Sequence, residues 1–149
     1  MTTTDERDLA NGRLATLVMA LELGASGDAG LADELYTEDV IGWSPALQIS
    51  SRAELAQEYS GRADAFSDVD MLIDPVDVIG DRGYAEWVVS ATHAGPLPIS
   101  NDAVLQPTRR RITWRGVTVA RFEGTRISSL HQYWDNFGLL SALGLVPAH

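Results

Sequence analysis

At 149 residues, with 45% hydrophobic and 21% charged side chains, the chain fits one globular domain whose core can stand without disulfides or a structural metal. A net charge of −10 argues against nucleic acid and anionic membrane surfaces as partners, because both would repel it. Cysteine is absent, all eleven basic residues are arginine and only three histidines occur, which excludes thiol nucleophiles, iron–sulfur and thiolate-zinc sites, lysine Schiff bases and a histidine-rich metal centre.

No apolar run approaches the ~20 residues of a membrane span. The first residues, MTTTDERDLA, carry neither a basic n-region nor an apolar h-region, so the expected location is the cytoplasm and residues 1–6 are expected to be a flexible terminus. Leu14, Leu17, Val18 and Leu21 then recur at i, i+3, i+4, i+7, predicting an amphipathic helix over 7–23 that GASGDAG (24–30) ends. A short helix over 31–38 and a short strand at VIGW (40–43) follow. Ser51 with Glu54 three residues on is a capping-box signature, and Leu55 and Tyr59 continue the apolar face of the helix it starts.

From residue 69 the apolar period becomes two. Val69, Met71 and Ile73 predict a strand that Pro75 interrupts at an edge or bulge and that VDVI resumes. GYAEWVVSATH (83–93) reads as a strand, and 94–108, with three prolines and a glycine, as a loop. Residues 111–122, the turn EGT and residues 126–135 read as a β-hairpin. A helix over about 136–143 closes the chain, with Gly144 as C-cap and Pro147 beyond it. Helices first and antiparallel strands later argue a single α+β domain. Charge is uneven: of 21 acidic residues only Glu123 and Asp135 lie after residue 102. The arginines of TRRRITWR (108–115) are expected to pair with the acidic first half or meet solvent rather than bind phosphate.

The most chemically loaded segment is HQYWDNFGLLSALGLVP (131–147). In an unbroken strand 126–135, alternation places Ile127, Ser129, His131, Tyr133 and Asp135 on one face and Ser128, Leu130, Gln132 and Trp134 on the other. At ~3.3 Å per residue, His131 and Asp135 lie roughly 13 Å apart, too far for a direct dyad. Asp135 has two readings, which are compatible: N-cap of the last helix, or a carboxylate facing a pocket. On strand 83–93, Trp87 and His93 share a face and are expected to line the same cavity, with Trp43, Tyr59 and Trp114 as aromatic walls. Such a pocket suits a hydrophobic small molecule with one or two carbonyl or hydroxyl groups.

LYTEDV (35–40), SRAEL (51–55), THAGPL (92–97), RGVTVARF (115–122) and YWDNFGLLSALGLVP (133–147), in this order, resemble the SnoaL-like branch of the nuclear transport factor 2-like superfamily over roughly residues 10–147. The resemblance implies a curved antiparallel sheet wrapped against helices around a conical pocket. It also implies a homodimer packed through the outer sheet face, to which Leu130 and Trp134 are assigned. In its polyketide cyclases an aspartate at the position of Asp135 is the acid/base of an aldol closure. Here that implies Asp135 as catalytic group with Tyr133, His93 or His131 as neighbouring donor, and no cofactor or metal. The superfamily's limonene epoxide hydrolase adds an arginine and a second aspartate on an earlier strand, where this chain has Trp87 and Val89, which counts against epoxide hydrolysis. A non-catalytic binding or dimerisation module of the same fold is the alternative from a different class.

Overall fold

The computed structural model describes residues 4–45, 48–100 and 102–145. Helix α1 (Thr4–Ser26) starts before the predicted position and takes in part of the expected flexible terminus. Leu17, Ala20 and Leu21 of its inner face are buried, and each buried leucine contributes about 2 kcal/mol from the area it removes from water. Gly27, with φ 78°, turns the chain out of the helix. Helix α2 (Ala32–Leu35) is one turn long, and Tyr36 already begins strand β1 (Tyr36–Trp43). Strand β2 (Gln48–Ile49) turns back on β1.

Helix α3 (Arg52–Ala65) starts as its signature predicts: the Ser51 hydroxyl accepts from the Glu54 N–H at 3.2 Å. The Glu54 carboxylate reaches back to the N–H of Ser50 (2.8 Å) rather than that of Ser51. Strand β3 (Phe66–Ile79) runs through Pro75, with register shifts between Ser67 and Asp70 and between Ile73 and Val76. Pro75 falls inside the second shift, where no β4 residue is paired with it, so the edge strand loses no ladder bond at the proline. Strand β4 (Arg82–His93) alternates buried and exposed residues along its first half. The segment expected to be a plain loop carries a small hairpin, β5 (Leu97–Ser100) with β6 (Ala103–Leu105), which makes its own two-stranded sheet. Pro98 lies within it, opposite Val104, and Pro96 and Pro107 flank it. Strands β7 (Arg111–Glu123) and β8 (Arg126–Trp134) form the predicted hairpin, and α4 (Asn136–Ala142) closes the described chain. Gly144 has φ 80° just past that helix, as a C-terminal glycine should. Pro147 and His149 lie outside the described residues.

The main sheet has six strands in the order β2-β1-β8-β7-β4-β3, antiparallel except for the β1–β8 pair. It curves around α1 and α3, and its inner face with those helices makes the core. Arg13 of α1 ties the two ends of the wrap together. Its guanidinium donates to Gly124 O and Gly80 O, both at 2.7 Å, and lies over the Phe122 ring. One residue thus holds both hairpin turns against the helix.

The β7–β8 ladder decides which side chains face inward. Phe122 pairs with Ile127 but Arg121 pairs with Ser129, so β8 carries one extra residue at Ser128. The Ser128 hydroxyl donates to the Arg121 carbonyl at 3.2 Å, occupying an acceptor at the disrupted step. Beyond this bulge the alternation is reversed. Leu130, Gln132 and Trp134 face inward with Ala120, Thr118 and Gly116, while His131 and Tyr133 face outward and are exposed. Assigning Leu130 and Trp134 to an outer, dimer-forming face is therefore incorrect: Leu130 is buried in the core and Trp134 packs against it.

Candidate functional site

The bulge decides where three of the expected site residues point. Asp135, Tyr133 and His131 are all exposed, and none joins the inner face. The Asp135 carboxylate accepts from the Gly138 N–H at 2.9 Å and caps α4. Tyr133 meets Trp43 on the outer face, the rings tilted at 49° with centres 5.1 Å apart.

Of the other predicted residues, Trp87, Trp114, Tyr59 and His93 face inward, in separate places, whereas Trp43 shares the outer face with Tyr133. Trp87 is buried, donates from Nε1 to the Thr118 hydroxyl (2.9 Å) and meets Trp134 edge-on at 6.4 Å. Trp114 lies half-buried against Phe66. These three tryptophans fill the inner face as packing. Tyr59 is buried at the α1–α3 contact, its hydroxyl 2.6 Å from that of Tyr36. Burial pushes both hydroxyls above the ordinary tyrosine range, so the pair stays neutral at physiological pH.

His93 is fully enclosed at the end of β4, beside the Phe66 ring. Its Nδ1 accepts from the Thr108 N–H (3.1 Å) and lies 3.0 Å from the Thr108 hydroxyl. A nitrogen that accepts a backbone N–H carries no proton, so the neutral ring holds its hydrogen on Nε2. Nε2 is buried and has no hydrogen-bond partner among the described residues. Burial lowers the imidazole pKa, the Arg109 charge adds to the lowering, and the Gly95 backbone beside the ring opposes it. Burial and these contacts thus favour the neutral ring of His93.

A pH effect follows from this. The folded-state pKa lies below the unfolded value of ~6.5, so the unfolded chain binds the proton more readily. The His93 contribution is complete above that value and is lost as pH falls through it toward the folded pKa. Urea midpoints should fall between pH 7.5 and pH 5 by a clearly smaller amount in His93→Gln, which keeps an acceptor for Thr108. Equal falls in both proteins would show that His93 contributes nothing to the pH response.

A cleft of about 40 Å³, open on one side, lies between α3 and the β1–β8 edge. Ile49, Leu55 and Leu130 give it apolar walls, and Trp43 and Tyr59 also line it. Glu58 and Arg62 enter from α3, one turn apart, and Gln132 faces them from β8. Arg62 donates to Gly24 O at 2.7 Å and stands over the Tyr59 ring. Glu58 and Gln132 make no side-chain hydrogen bond or ion pair among the described residues. A broader recess of about 360 Å³ lies where α2 meets α3, walled mainly by alanines and the Asp33–Arg52 ion pair (3.1 Å).

Sequence reasoning missed Glu58, Arg62 and Gln132. The signal for the first two was present: Leu55, Glu58, Tyr59 and Arg62 make an i, i+3, i+4, i+7 stripe, which puts two charges on the core-facing side of α3. Gln132 was hidden by the bulge. No group of histidine and carboxylate side chains suited to a metal ion occurs among the described residues. No helix among them is long and apolar enough to cross a membrane.

A curved sheet closed by helices around a side cleft defines a cone-shaped α+β domain of the nuclear transport factor 2-like class. A model of the SnoaL-like domain matches residues 19–130, and the chain belongs to that family. Solved structures share the fold. A protein described as a SnoaL-like polyketide cyclase from Jannaschia sp. CCS1 superposes with a TM-score of 0.78 at 13% identity, over 93% of this chain and 96% of that one. IdmH of Streptomyces antibioticus, described as a polyketide cyclase, gives 0.71 at 20% identity over 89% and 98%. An LEH-like epoxide hydrolase of M. tuberculosis gives 0.68 at 12% identity over 90% of each chain. No curated protein matches the chain in sequence. At these identities the structural likeness establishes the fold alone.

Proposed function

We propose that this chain takes the carbonyl end of a hydrophobic small molecule into the α3–β1–β8 cleft and performs acid/base chemistry on it, an aldol-type cyclisation or an isomerisation. The convergence of Glu58, Arg62 and Gln132 on an otherwise apolar cleft carries this reading. A few polar groups in apolar walls fix the orientation of a ligand, and a carboxylate facing two donors suits proton transfer beside a carbonyl. Proton removal and return balance without a cofactor. The inner face of β4 supports this reading over epoxide hydrolysis: Ala85, Trp87, Val89 and Ala91 offer neither the arginine nor the second aspartate of that chemistry. Two copies are proposed to pair through the outer sheet face, with Ile41, Trp43, Val117 and Tyr133 in the contact.

A thermal-shift screen of aromatic ketones tests the cleft. A ligand at about 100 times its Kd stabilises by ~2.7 kcal/mol, which raises Tm by roughly 5–10 °C for a chain of this length. Gln132→Leu should abolish most of that shift. A panel that leaves Tm unchanged in the wild-type protein, or shifts Gln132→Leu equally, would sink the assignment of the cleft.

A further inference from the structure

We infer that the cleft and the outer face act as one unit: a second copy seated on the outer face holds Trp43 in the cleft wall, so the dimer binds a ligand more tightly than the monomer does. The inference rests on the small-molecule and dimer readings above. It goes further by making the site incomplete without its partner copy.

Two strands supply the geometry. Gly42 of β1 pairs with Leu130 of β8, and Trp43 pairs with His131. Gly42, Leu130 and Gln132 line the cleft. Their sequence neighbours Ile41, His131 and Tyr133 are exposed on the other side. Cleft and outer patch are thus separated by a single thickness of sheet. Trp43 is the last residue of β1 and borders both: it lines the cleft, and its ring meets that of Tyr133 at 5.1 Å. An exposed tryptophan at a strand end is ordinarily plain surface, and its service on both sides of the wall sets this one apart. The ring is 38% exposed, so its own chain does not enclose it. Beyond β1 the sheet holds only the two-residue β2, which gives the wall little backing on that side.

The face suits a second copy. Tyr84, Val119, His131 and Trp43 form one row across β4, β7, β8 and β1, and Val117 and Tyr133 lie in the next. Glu86 pairs with Val117 in that second row, Arg115 lies beyond it, and Arg82 pairs with Arg121 at the opposite border. These four charged residues are exposed, and none is ion-paired among the described residues. A face carrying both signs can meet itself about a two-fold axis with Glu86 of one copy opposite an arginine of the other. A partner of one uniform charge would meet repulsion somewhere on it. A copy packed over Ile41, Trp43 and Tyr133 fixes the Trp43 ring before a ligand arrives, so ordering that ring no longer opposes binding. By reciprocity, a ligand that fixes Trp43 from inside tightens the dimer by the same factor.

The probe is 2-acetylnaphthalene, an aromatic ketone. Sedimentation velocity across a concentration series of the full chain gives the dimer dissociation constant with and without it. Equilibrium dialysis gives the Kd for the ketone below and above that constant. The ketone should tighten the dimer about 10-fold, and the dimer should bind it about 10-fold more tightly than the monomer. Val117→Glu lies outside the cleft lining and sets a carboxylate beside Glu86. It should be a folded monomer by sedimentation and thermal melt and should bind the ketone with the weaker, monomer affinity. The dilution comparison on wild type decides alone if that variant does not fold. Gln132→Leu should dimerise like wild type and show no tightening with the ketone. Equal ketone affinity in monomer and dimer overturns the inference while leaving cleft and dimer as separate features. A wild type that stays monomeric, or a Val117→Glu that still dimerises, overturns it together with the outer-face reading. Failure of the ketone to bind wild type overturns it and counts against the small-molecule reading.

Discussion

Gly95→Ala should destabilise the fold by about 3 kcal/mol or more and lower Tm by roughly 6–12 °C. Gly95 is buried where the end of β4 meets the corner between α3 and β3. Its N–H and that of Ala94 both donate to Ala65 O at 3.0 Å. A Cβ at Gly95 would overlap the Asp64 carbonyl oxygen and sit 2.9 Å from the Asp64 carbonyl carbon. These are backbone atoms, so no side chain can swing aside, and relief requires opening the corner that holds Phe66 against His93. Gly61→Ala is the control. Gly61 is exposed in α3, a Cβ there meets nothing within 4 Å, and alanine should stabilise the helix by about 1 kcal/mol. A melting shift under about 2 °C for Gly95→Ala would mean that the corner yields easily.

Tyr133→Glu should convert the proposed dimer to monomer while leaving Tm of the isolated fold nearly unchanged. Tyr133 and Ile41 are 51% and 52% exposed, large apolar surfaces to leave to water in the middle of a sheet. Trp43, Val117 and Tyr133 lie on adjoining strands, so they form one patch rather than scattered contacts. In a two-fold pair the same patch meets itself, so one substitution places two carboxylates in a single contact and removes two aromatic anchors. Light scattering across a concentration series reads the outcome. A wild-type protein that stays monomeric at 100 μM, or a variant that stays dimeric, would remove the outer face from the proposal.

Much of the fold is legible in the sequence because periodicity and capping are local. The Leu14–Leu21 stripe, the Ser51 cap, the change to period two and the terminal glycine each name their element from a few neighbouring residues. The site is less legible because it depends on parity. Reading β8 as an unbroken strand puts Asp135, Tyr133 and His131 on the inner side, and a single extra residue at Ser128 turns that assignment over. Nothing in the composition of RISSLHQYW marks the bulge; it arises from pairing with β7, a tertiary fact. Trp87 and His93, on unbulged β4, are placed on the inner face as their alternation requires. The β5–β6 hairpin escaped because Pro and Gly signal a turn without saying whether the arms on either side pair.

Strand β3 is fourteen residues long and forms one edge of the six-stranded sheet, so its outer N–H and C=O groups are open to any extended segment that approaches. It also exposes Leu72 and Ile79. Asp68, Asp74 and Asp77 punctuate that edge, Asp70 is paired there with Arg111 at 2.8 Å, and Pro75 removes a donor in its middle. An incoming strand would meet repeated negative charge and a break in the ladder before it could register, and a second copy of β3 would bring the same charges with it. The acidic bias that argues against nucleic acid as a partner thus also has a local address. It guards the longest unpaired border of the sheet against fibril-like growth, and neutral replacements of those aspartates should show first as aggregation on storage rather than as a lower melting temperature.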